Sequence, residues 1–293
     1  MTRFRFASRH ARPVALLLLL LNAANVRAAE EEAPLEFALA PYISVRPLMA
    51  MFQPLASHLE ERLKHPVLLV TAPSLREFDD GVLGRKYELA MVAPQTARLA
   101  QKEAGYQPLL RMTNDLYGVF LVQVDSHARA MKDIAGESIA FPDRFTATAH
   151  LGKETMRALG MDTGNISYPK GFQDSLLTSL ARGEVQVVLM NSSAFFQMRD
   201  EQRAGVRVLG ETRHIPHVMF LARSDMPAQR QSEVRDAISE FMEQTTEGRK
   251  FITQTGLTGV RPPTDSELRS LDSLAQAHKH LLEEARAPSG ANR

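Results

Sequence analysis

Residues 140–150 read AFPDRFTATAH, and the interpretation of the fold depends on this stretch. It predicts the end of a β-strand, a tight turn that carries the hydroxyls of Thr146 and Thr148, and the start of an α-helix. A helix N-terminus offers backbone N–H groups without intrahelical acceptors and a partial positive charge. The two threonines are therefore either ordinary capping residues or donors to a bound anion, and the stretch alone leaves both open.

Short apolar runs alternate with longer amphipathic runs on both sides of this stretch, which indicates βα units. Strands are predicted over residues 37–40, 67–71, 89–92, 118–124, 138–141, 166–168, 185–190, 206–209 and 218–222. Helices are predicted over residues 47–63, 74–83, 95–102, 148–159, 172–181, 193–199, 230–244, 247–253 and 265–285. This order predicts an α/β protein whose mainly parallel sheets are flanked by helices.

Two stretches, residues 76–92 and 170–190, follow the same order in the two halves of the chain. Each has Phe and Asp near the start of a helix, then Gly, then an apolar strand. Polar residues follow both strands: Gln95 and Thr96 after the first, and Asn191 and Ser192 after the second. Two similar lobes facing one cleft would explain this order, since open α/β sheets bind ligands at the carboxyl ends of their strands. The general likeness of βα units would explain it equally well.

Residues 1–28 have the composition of a cleavable signal peptide. Four arginines precede an eight-residue apolar run, Val14 to Leu21, and small residues surround a plausible cleavage site after Ala28. The run is too short to span a bilayer, which argues against the alternative of a membrane anchor. We expect a periplasmic protein without disulfides, since the chain has no cysteine.

Removal of the signal peptide changes the charge of the chain. The signal peptide carries five of the 35 Lys and Arg residues and none of the 34 acidic ones, so a mature chain of 265 residues would have a net charge of −4. This argues against nucleic-acid binding, for which a basic domain or stripe is expected. A chain of this length is expected to form one large domain or two lobes.

Sequence features for catalysis or metal binding are weak. His214 and His217 stand three residues apart across a proline, which is weak evidence without a nearby Cys, so no metal site is predicted. No G-x-S-x-G nucleophile motif occurs, and no catalytic residue or cofactor is expected. His278 and His280 are predicted to lie on the solvated face of the last helix.

The order of the motifs resembles that of the phosphate/phosphonate-type periplasmic solute-binding proteins of ABC transporters. The resemblance covers roughly residues 35–270 and rests on motifs that follow successive strands. These motifs are Ala40-Pro41-Tyr42-Ile43-Ser44, Val70-Thr71-Ala72-Pro73, Met91-Val92-Ala93-Pro94, Ala104-Gly105-Tyr106-Gln107-Pro108-Leu109, Ile139-Ala140-Phe141-Pro142-Asp143, His214-Ile215-Pro216-His217 and Thr246-Glu247-Gly248-Arg249.

The resemblance implies a two-lobed fold of the type II periplasmic-binding class. Independently of the resemblance, a flexible tail is predicted over 286–293, since chain termini are often poorly ordered. One lobe would comprise residues 35–120 plus 220–285 and the other 121–219. Two crossover strands at the hinge, Gly118–Asp125 and Val218–Asp225, would join them.

The implied ligand site carries over only in part. The ligand-binding residues would be Tyr42, Gln95, Thr96, Thr146, Thr148, Gln173, Asn191, Ser192 and His217. Where the family has a Ser-Thr-Ser-Gly turn, this chain has Thr146-Ala147-Thr148-Ala149. The position of the family's second aromatic residue is occupied by Ala97, and that of its histidine by Gln173. Ser192 stands where the family has the acid of an Asn-Asp pair. Loss of that acid removes a partner for a ligand amine, so an aminoalkylphosphonate is disfavoured.

Two functions remain open at this point. One is the solute receptor of an ABC importer, a monomer that captures a small, phosphonate- or phosphate-like anion and presents it to a permease in the inner membrane. The other is a periplasmic ligand-sensing module that uses the same fold to report to a sensor kinase. Fold alone does not decide between them.

Overall fold

The computed structural model describes residues 33–171 and 173–287; the side chains of residues 172–174 also lie outside the description. The predicted signal peptide, residues 1–28, and the part of the predicted tail beyond residue 287 are therefore outside the described residues. Within the described ranges, every helix is too short or too polar to cross a bilayer.

Strands and helices alternate through most of the described chain. The strands are β1 (Leu35–Leu39), β2 (Val67–Val70), β3 (Leu89–Val92), β4 (Tyr106–Met112), β5 (Asp115–Leu116), β6 (Gly118–Gln123), β7 (Ile139–Ala140), β8 (Ile166–Ser167), β9 (Val187–Asn191), β10 (Val206–Glu211), β11 (Ile215–Pro216), β12 (Met219–Arg223) and β13 (Val260–Arg261). The helices are α1 (Val45–Leu63), α2 (Leu75–Leu83), α3 (Pro94–Glu103), α4 (Ala147–Ala158), α5 (Gln173–Ala181), α6 (Ser192–Phe196), α7 (Asp200–Ala204), α8 (Ala228–Gln244), α9 (Thr246–Thr255), α10 (Asp265–Ser270) and α11 (Asp272–Arg286), and a 3-10 turn covers Met131–Ile134.

The first sheet has six strands in the order β13-β4-β12-β3-β1-β2. β1 is parallel to both β2 and β3, as expected for successive βα units. β12 arrives from the second half of the chain and lies antiparallel between β3 and β4. Two apolar clusters cover the faces of this sheet, one around Phe78 and Tyr87 and the other around Phe37 and Phe220.

The second sheet has five strands in the order β10-β6-β9-β7-β8. β7 is parallel to β8 and β9, whereas β6 is antiparallel to β9 and β10. The α/β class is confirmed, but both sheets are mixed and the expectation of mainly parallel sheets is corrected. The βα units supply the parallel pairs, and the strand that enters from the other half of the chain runs in the opposite direction.

Two short segments connect the sheets. The chain leaves the first sheet after β4 and reaches the second through β5, and it returns from β10 through β11. β5 and β11 pair antiparallel with each other, and the rings of Tyr117 and His214 stack beside them with centroids 4.0 Å apart. β6 then pairs along its length within the second sheet, and β12 within the first.

The structure also differs from the sequence-based expectation at β4 and at the last predicted helix. β4 was not predicted as a strand, because Pro108 and Arg111 interrupt its apolar run; Pro108 is accommodated where the β4–β12 register shifts by one residue. The helix predicted over 265–285 is two helices, since α10 ends at Ser270 and α11 begins at Asp272.

Candidate functional site

A cavity of about 500 Å³ opens where strands of both sheets end. The chain reaches this cavity at the ends of β1, β2 and β3 in the first sheet and of β7 and β9 in the second. The cavity therefore lies at the carboxyl ends of parallel strands, where α/β sheets bind ligands. Its lining includes Tyr42, Ser44, Leu48, Met51, Phe52, Ser74, Met91, Ala93, Asp143, Thr146, Thr148, Asn191, Ser193, Gln197, His217, Thr255 and Leu257.

Five helices begin at the wall of this cavity: α1, α2, α3, α4 and α6. Side chains cap three of them, Ser74 on α2, Thr146 on α4 and Asn191 on α6. The N-cap residues of α1 and α3 are Ser44 and Ala93, and neither makes a side-chain cap. Pro47 in α1 and Pro94 in α3 have no N–H, and Gln95 and Thr96 of α3 do not line the cavity. The amide of Val45 in the first turn of α1 belongs to a lining residue and has neither an intrahelical acceptor nor a capping side chain, so it can donate to a bound anion.

Thr146 and Thr148 have different roles in this arrangement. The Thr146 hydroxyl donates to the carbonyl of Asp143 (2.7 Å) and accepts from the amide of Ala149 (3.2 Å), so it caps α4. The Thr148 side chain is buried and lines the cavity, and within the described part of the chain it makes no hydrogen bond. Of the two interpretations open at the sequence level, the geometry assigns the capping role to Thr146 and leaves Thr148 free for a ligand.

Tyr42 follows β1 and lines the cavity. Its ring packs against both apolar clusters of the first sheet, and its hydroxyl oxygen is shielded from solvent without a hydrogen-bond partner among the described residues. Burial raises the pKa of the phenol, and the negative charge of Asp79 raises it further, so the group is protonated. A buried hydroxyl without an acceptor is destabilising, and a ligand oxygen could satisfy it.

His217 and Ser193 form a polar pair at the cavity wall. The amide of Val218 donates to Nδ1 of His217 (2.8 Å), and Nε2 lies 3.3 Å from the Ser193 hydroxyl. Burial lowers the pKa of His217 to about 4, with Arg111 adding to the effect, so the imidazole is neutral near pH 7. Nδ1 is then an acceptor and Nε2–H donates to Ser193, which leaves the serine proton for a ligand.

Three of the predicted ligand-binding residues do not line the cavity. Gln95 is buried, and its Nε2 donates to the carbonyl of Phe145 (3.0 Å). The hydroxyl of Thr96 donates to Asp79 (2.9 Å). Ser192 is buried, and its amide donates to the carbonyl of Tyr117 (2.8 Å). The side chain of Gln173 lies outside the described part of the chain.

Sequence reasoning missed Ser193 and the contribution of α9. Ser193 was passed over because α6 begins one residue earlier than predicted, which turns Ser192 into the core and Ser193 towards the cavity. Thr255 and Leu257 reach the site because Gly256 ends α9 in the left-handed conformation, with φ 65°. A glycine at this position is a recognised helix-end signal, but nothing local indicates that the turn faces a cavity.

The cavity has few charges. Among the described lining residues there is no Lys or Arg, and Asp143 is the one acidic residue. Asp143 is exposed, and its Oδ1 accepts from the amide of Phe145 (2.9 Å). An anion would therefore be held by amides and hydroxyls rather than by cationic side chains.

The chain matches one family model, described as ABC transporter, phosphonate, periplasmic substrate-binding protein, over residues 37–268. Several solved structures are similar in fold at low identity. A binding protein component of an ABC phosphonate transporter from Pseudomonas aeruginosa has 14% identity and a TM-score of 0.71, with 85% of this chain and 89% of that chain covered. A methylphosphonate complex from Prochlorococcus marinus has 10% identity and a TM-score of 0.73, with 84% and 98% covered. The periplasmic aliphatic sulphonate binding protein of Escherichia coli has 15% identity and a TM-score of 0.58, with 86% and 92% covered.

Proposed function

The chain belongs to the family of periplasmic substrate-binding proteins of phosphonate ABC transporters, and on that premise we propose that it captures a small phosphonate- or phosphate-like anion for import. The cavity at the ends of the two sheets is the proposed binding site. Tyr42, Thr148, Ser193 and the first-turn amide of Val45 in α1 are the proposed donors. The family is one of binding proteins, and no catalytic step is part of the proposal.

One observation carries this proposal: α1 and α3 start at the same cavity without side-chain caps, beside the free hydroxyl of Thr148. Unpaired amides at helix N-termini favour anions through hydrogen bonds and the helix dipole. A phosphonate or phosphate has several acceptor oxygens and matches such a set of donors.

The proposed capture mechanism is closure of two lobes about a hinge. The lobes would be residues 35–120 plus 220–285 and residues 121–219. The paired segments β5 and β11 support this mechanism, because the described part of the chain passes between the sheets through two short connections. Ligand contacts from both sheets would favour the closed form.

Export through a signal peptide at residues 1–28 would place the protein in the periplasm, where the closed monomer would dock on an ABC permease. The matched family supports both steps of this proposal.

Binding of anions to the purified protein tests the proposed function directly. Native mass spectrometry of the protein as isolated would detect a retained ligand. Isothermal titration with phosphate, phosphite, methylphosphonate, methanesulfonate and acetate should give saturable binding for at least one tetrahedral anion, with a rise in melting temperature. No binding in any of these classes, with a folded protein, would overturn the proposal.

A further inference from the structure

Much of the cavity wall is apolar. Leu48, Met51 and Phe52 reach it from α1, Met91 from the end of β3, and Leu257 from the turn after α9. Leu48, Phe52, Met91 and Leu257 are buried, and Met51 is half-buried. These side chains give the site a large apolar wall beside the donors of Thr148 and Ser193.

Among the described lining residues, no buried carboxylate stands in this wall to pair with a cationic substituent of a ligand. Among the described lining residues the one carboxylate, Asp143, is exposed and accepts a backbone hydrogen bond, and the one imidazole, His217, is held neutral by burial. A ligand ammonium placed against this wall would lose its hydration without gaining a partner, which is strongly unfavourable.

The cavity also exceeds the size of an anionic head group. Its volume of about 500 Å³ lies within the range of small-molecule sites, about 300–1,000 Å³. An inorganic tetrahedral anion would leave most of the apolar wall in contact with water, whereas an organic substituent would cover it. Met51 and Met91 can adapt to substituents of different shape, because methionine is unbranched and flexible.

Building on the proposed anion site, we propose that this protein prefers anions with an uncharged apolar substituent, such as alkyl or aryl phosphonates and phosphate monoesters. The anionic head binds the first-turn amide of Val45 in α1 and the hydroxyls of Thr148 and Ser193. The substituent packs against Met51, Met91 and Leu257.

A matched ligand series separates this inference from the proposed function. Propylphosphonate and 2-aminoethylphosphonate have nearly the same shape and differ in a terminal methyl or ammonium group. Isothermal titration should show affinity rising from methyl- to propyl- to butylphosphonate, by up to about fourfold for each buried methylene. Propylphosphonate should bind at least tenfold more tightly than 2-aminoethylphosphonate.

Two variants of α1 locate the substituent. Met51→Gln should lower the affinity for butylphosphonate severalfold more than it lowers the affinity for methylphosphonate. Met49→Gln is the matched control, because Met49 is half-buried on the same helix but does not line the cavity; it should change neither affinity.

The outcomes are distinct. Tighter binding of 2-aminoethylphosphonate or phosphate than of propylphosphonate would overturn the apolar preference and leave the anion site intact. Equal effects of Met51→Gln and Met49→Gln would overturn the placement of the substituent. Failure of every phosphonate and of phosphate to bind would reject the proposed function itself.

Discussion

His150 on α4 and His278 on α11 meet through their imidazole rings, with Nε2 of His150 3.1 Å from Nδ1 of His278. Nε2 of His278 in turn lies 2.9 Å from Oδ2 of Asp79, and the hydroxyl of Thr96 donates to Oδ1 of the same carboxylate (2.9 Å). The helix that carries Thr148 is thereby hydrogen-bonded, through His278, to side chains of the helices that follow β2 and β3.

The direction of one of these hydrogen bonds follows from the carboxylate. Asp79 accepts, so Nε2 of His278 carries a proton. Burial lowers the pKa of His150 to about 3, and His278, Lys153 and Arg157 add to the effect, so His150 is neutral near pH 7. Phe145 and Leu151 pack into the apolar cluster of the first sheet beside these groups.

Replacement of His278 tests this tether. His278→Phe leaves Asp79 and His150 without their partner, and loss of a partner by a buried polar group is destabilising by about 1–3 kcal/mol, more where charge is involved. Denaturant unfolding measures this effect. His280→Phe is the control on the same helix, because His280 is exposed, and it should change stability by less than about 0.5 kcal/mol. Similar losses in both variants would contradict the structural role of the pair.

Stability should also depend on pH in a defined window. The pKa values of His150 and His217 are lowered to about 3 and about 4 in the folded chain, against 6.5 for an unperturbed histidine. At pH values between the folded-state pKa of each histidine and 6.5, the unfolded chain binds more protons than the folded chain. The free energy of unfolding therefore falls as the pH falls below about 6.5. Each histidine contributes a slope of up to about 1.4 kcal/mol per pH unit.

Between pH 6.5 and 5, the effect of the histidines on stability can be measured apart from that of the carboxylates. Hydrogen bonding to Arg261 lowers the pKa of Glu267 to about 2, from 4.5, so its stabilising effect is lost only at lower pH. Urea unfolding at pH 7.5, 6.5, 5.5 and 5.0 measures the slope, and His217→Asn should reduce it. A wild-type stability that stays constant from pH 6.5 to 5 would show that the buried histidines do not remain neutral.

The sequence predicted most helices and strands because their apolar spacing and end signals are local. It failed where distant residues decide the outcome. His278 was expected on a solvated face but is fully buried. It lies on the apolar stripe of α11 with Leu274 and Leu282, and this stripe could have indicated burial.

Prediction of the candidate site from the sequence is limited for the same reason. The position of Thr148 at the start of a helix follows from its own sequence neighbours. The hydrogen bond of Thr96 to Asp79, by contrast, depends on a residue 17 positions away. The apolar wall from α1, β3 and α9 combines three distant segments, and each reads locally as ordinary core.

Gly152 permits close packing of α4 on the second sheet. A Cβ at this position would collide with Leu189 and come within 2.6 Å of the ring of Phe141, and both side chains are fully buried. Gly152→Ala should therefore destabilise the fold by about 1–3 kcal/mol, because overpacking outweighs the gain in helix propensity of about 1 kcal/mol. Gly205→Ala is the matched control.

Gly205 ends α7 with φ −81°, and its nearest neighbouring atom would be 3.6 Å from a new Cβ. That alanine should be neutral or stabilising by up to about 1 kcal/mol. Thermal unfolding of the two variants under one condition compares them. A Gly152→Ala protein as stable as the wild type would mean that α4 can move away from the second sheet.

Thr148→Val and Thr146→Val separate ligand binding from helix capping. Thr148→Val removes a hydroxyl that makes no hydrogen bond among the described residues while retaining the shape, so stability should change little. The affinity for methylphosphonate should fall about tenfold or more, because hydrogen bonds to charged groups contribute about 1.5–3 kcal/mol.

Thr146→Val removes the N-cap of α4 and should destabilise the fold by about 0.5–2 kcal/mol. Titration and unfolding of both proteins measure the two effects, and an unchanged affinity in Thr148→Val would remove this hydroxyl from the proposed anion site.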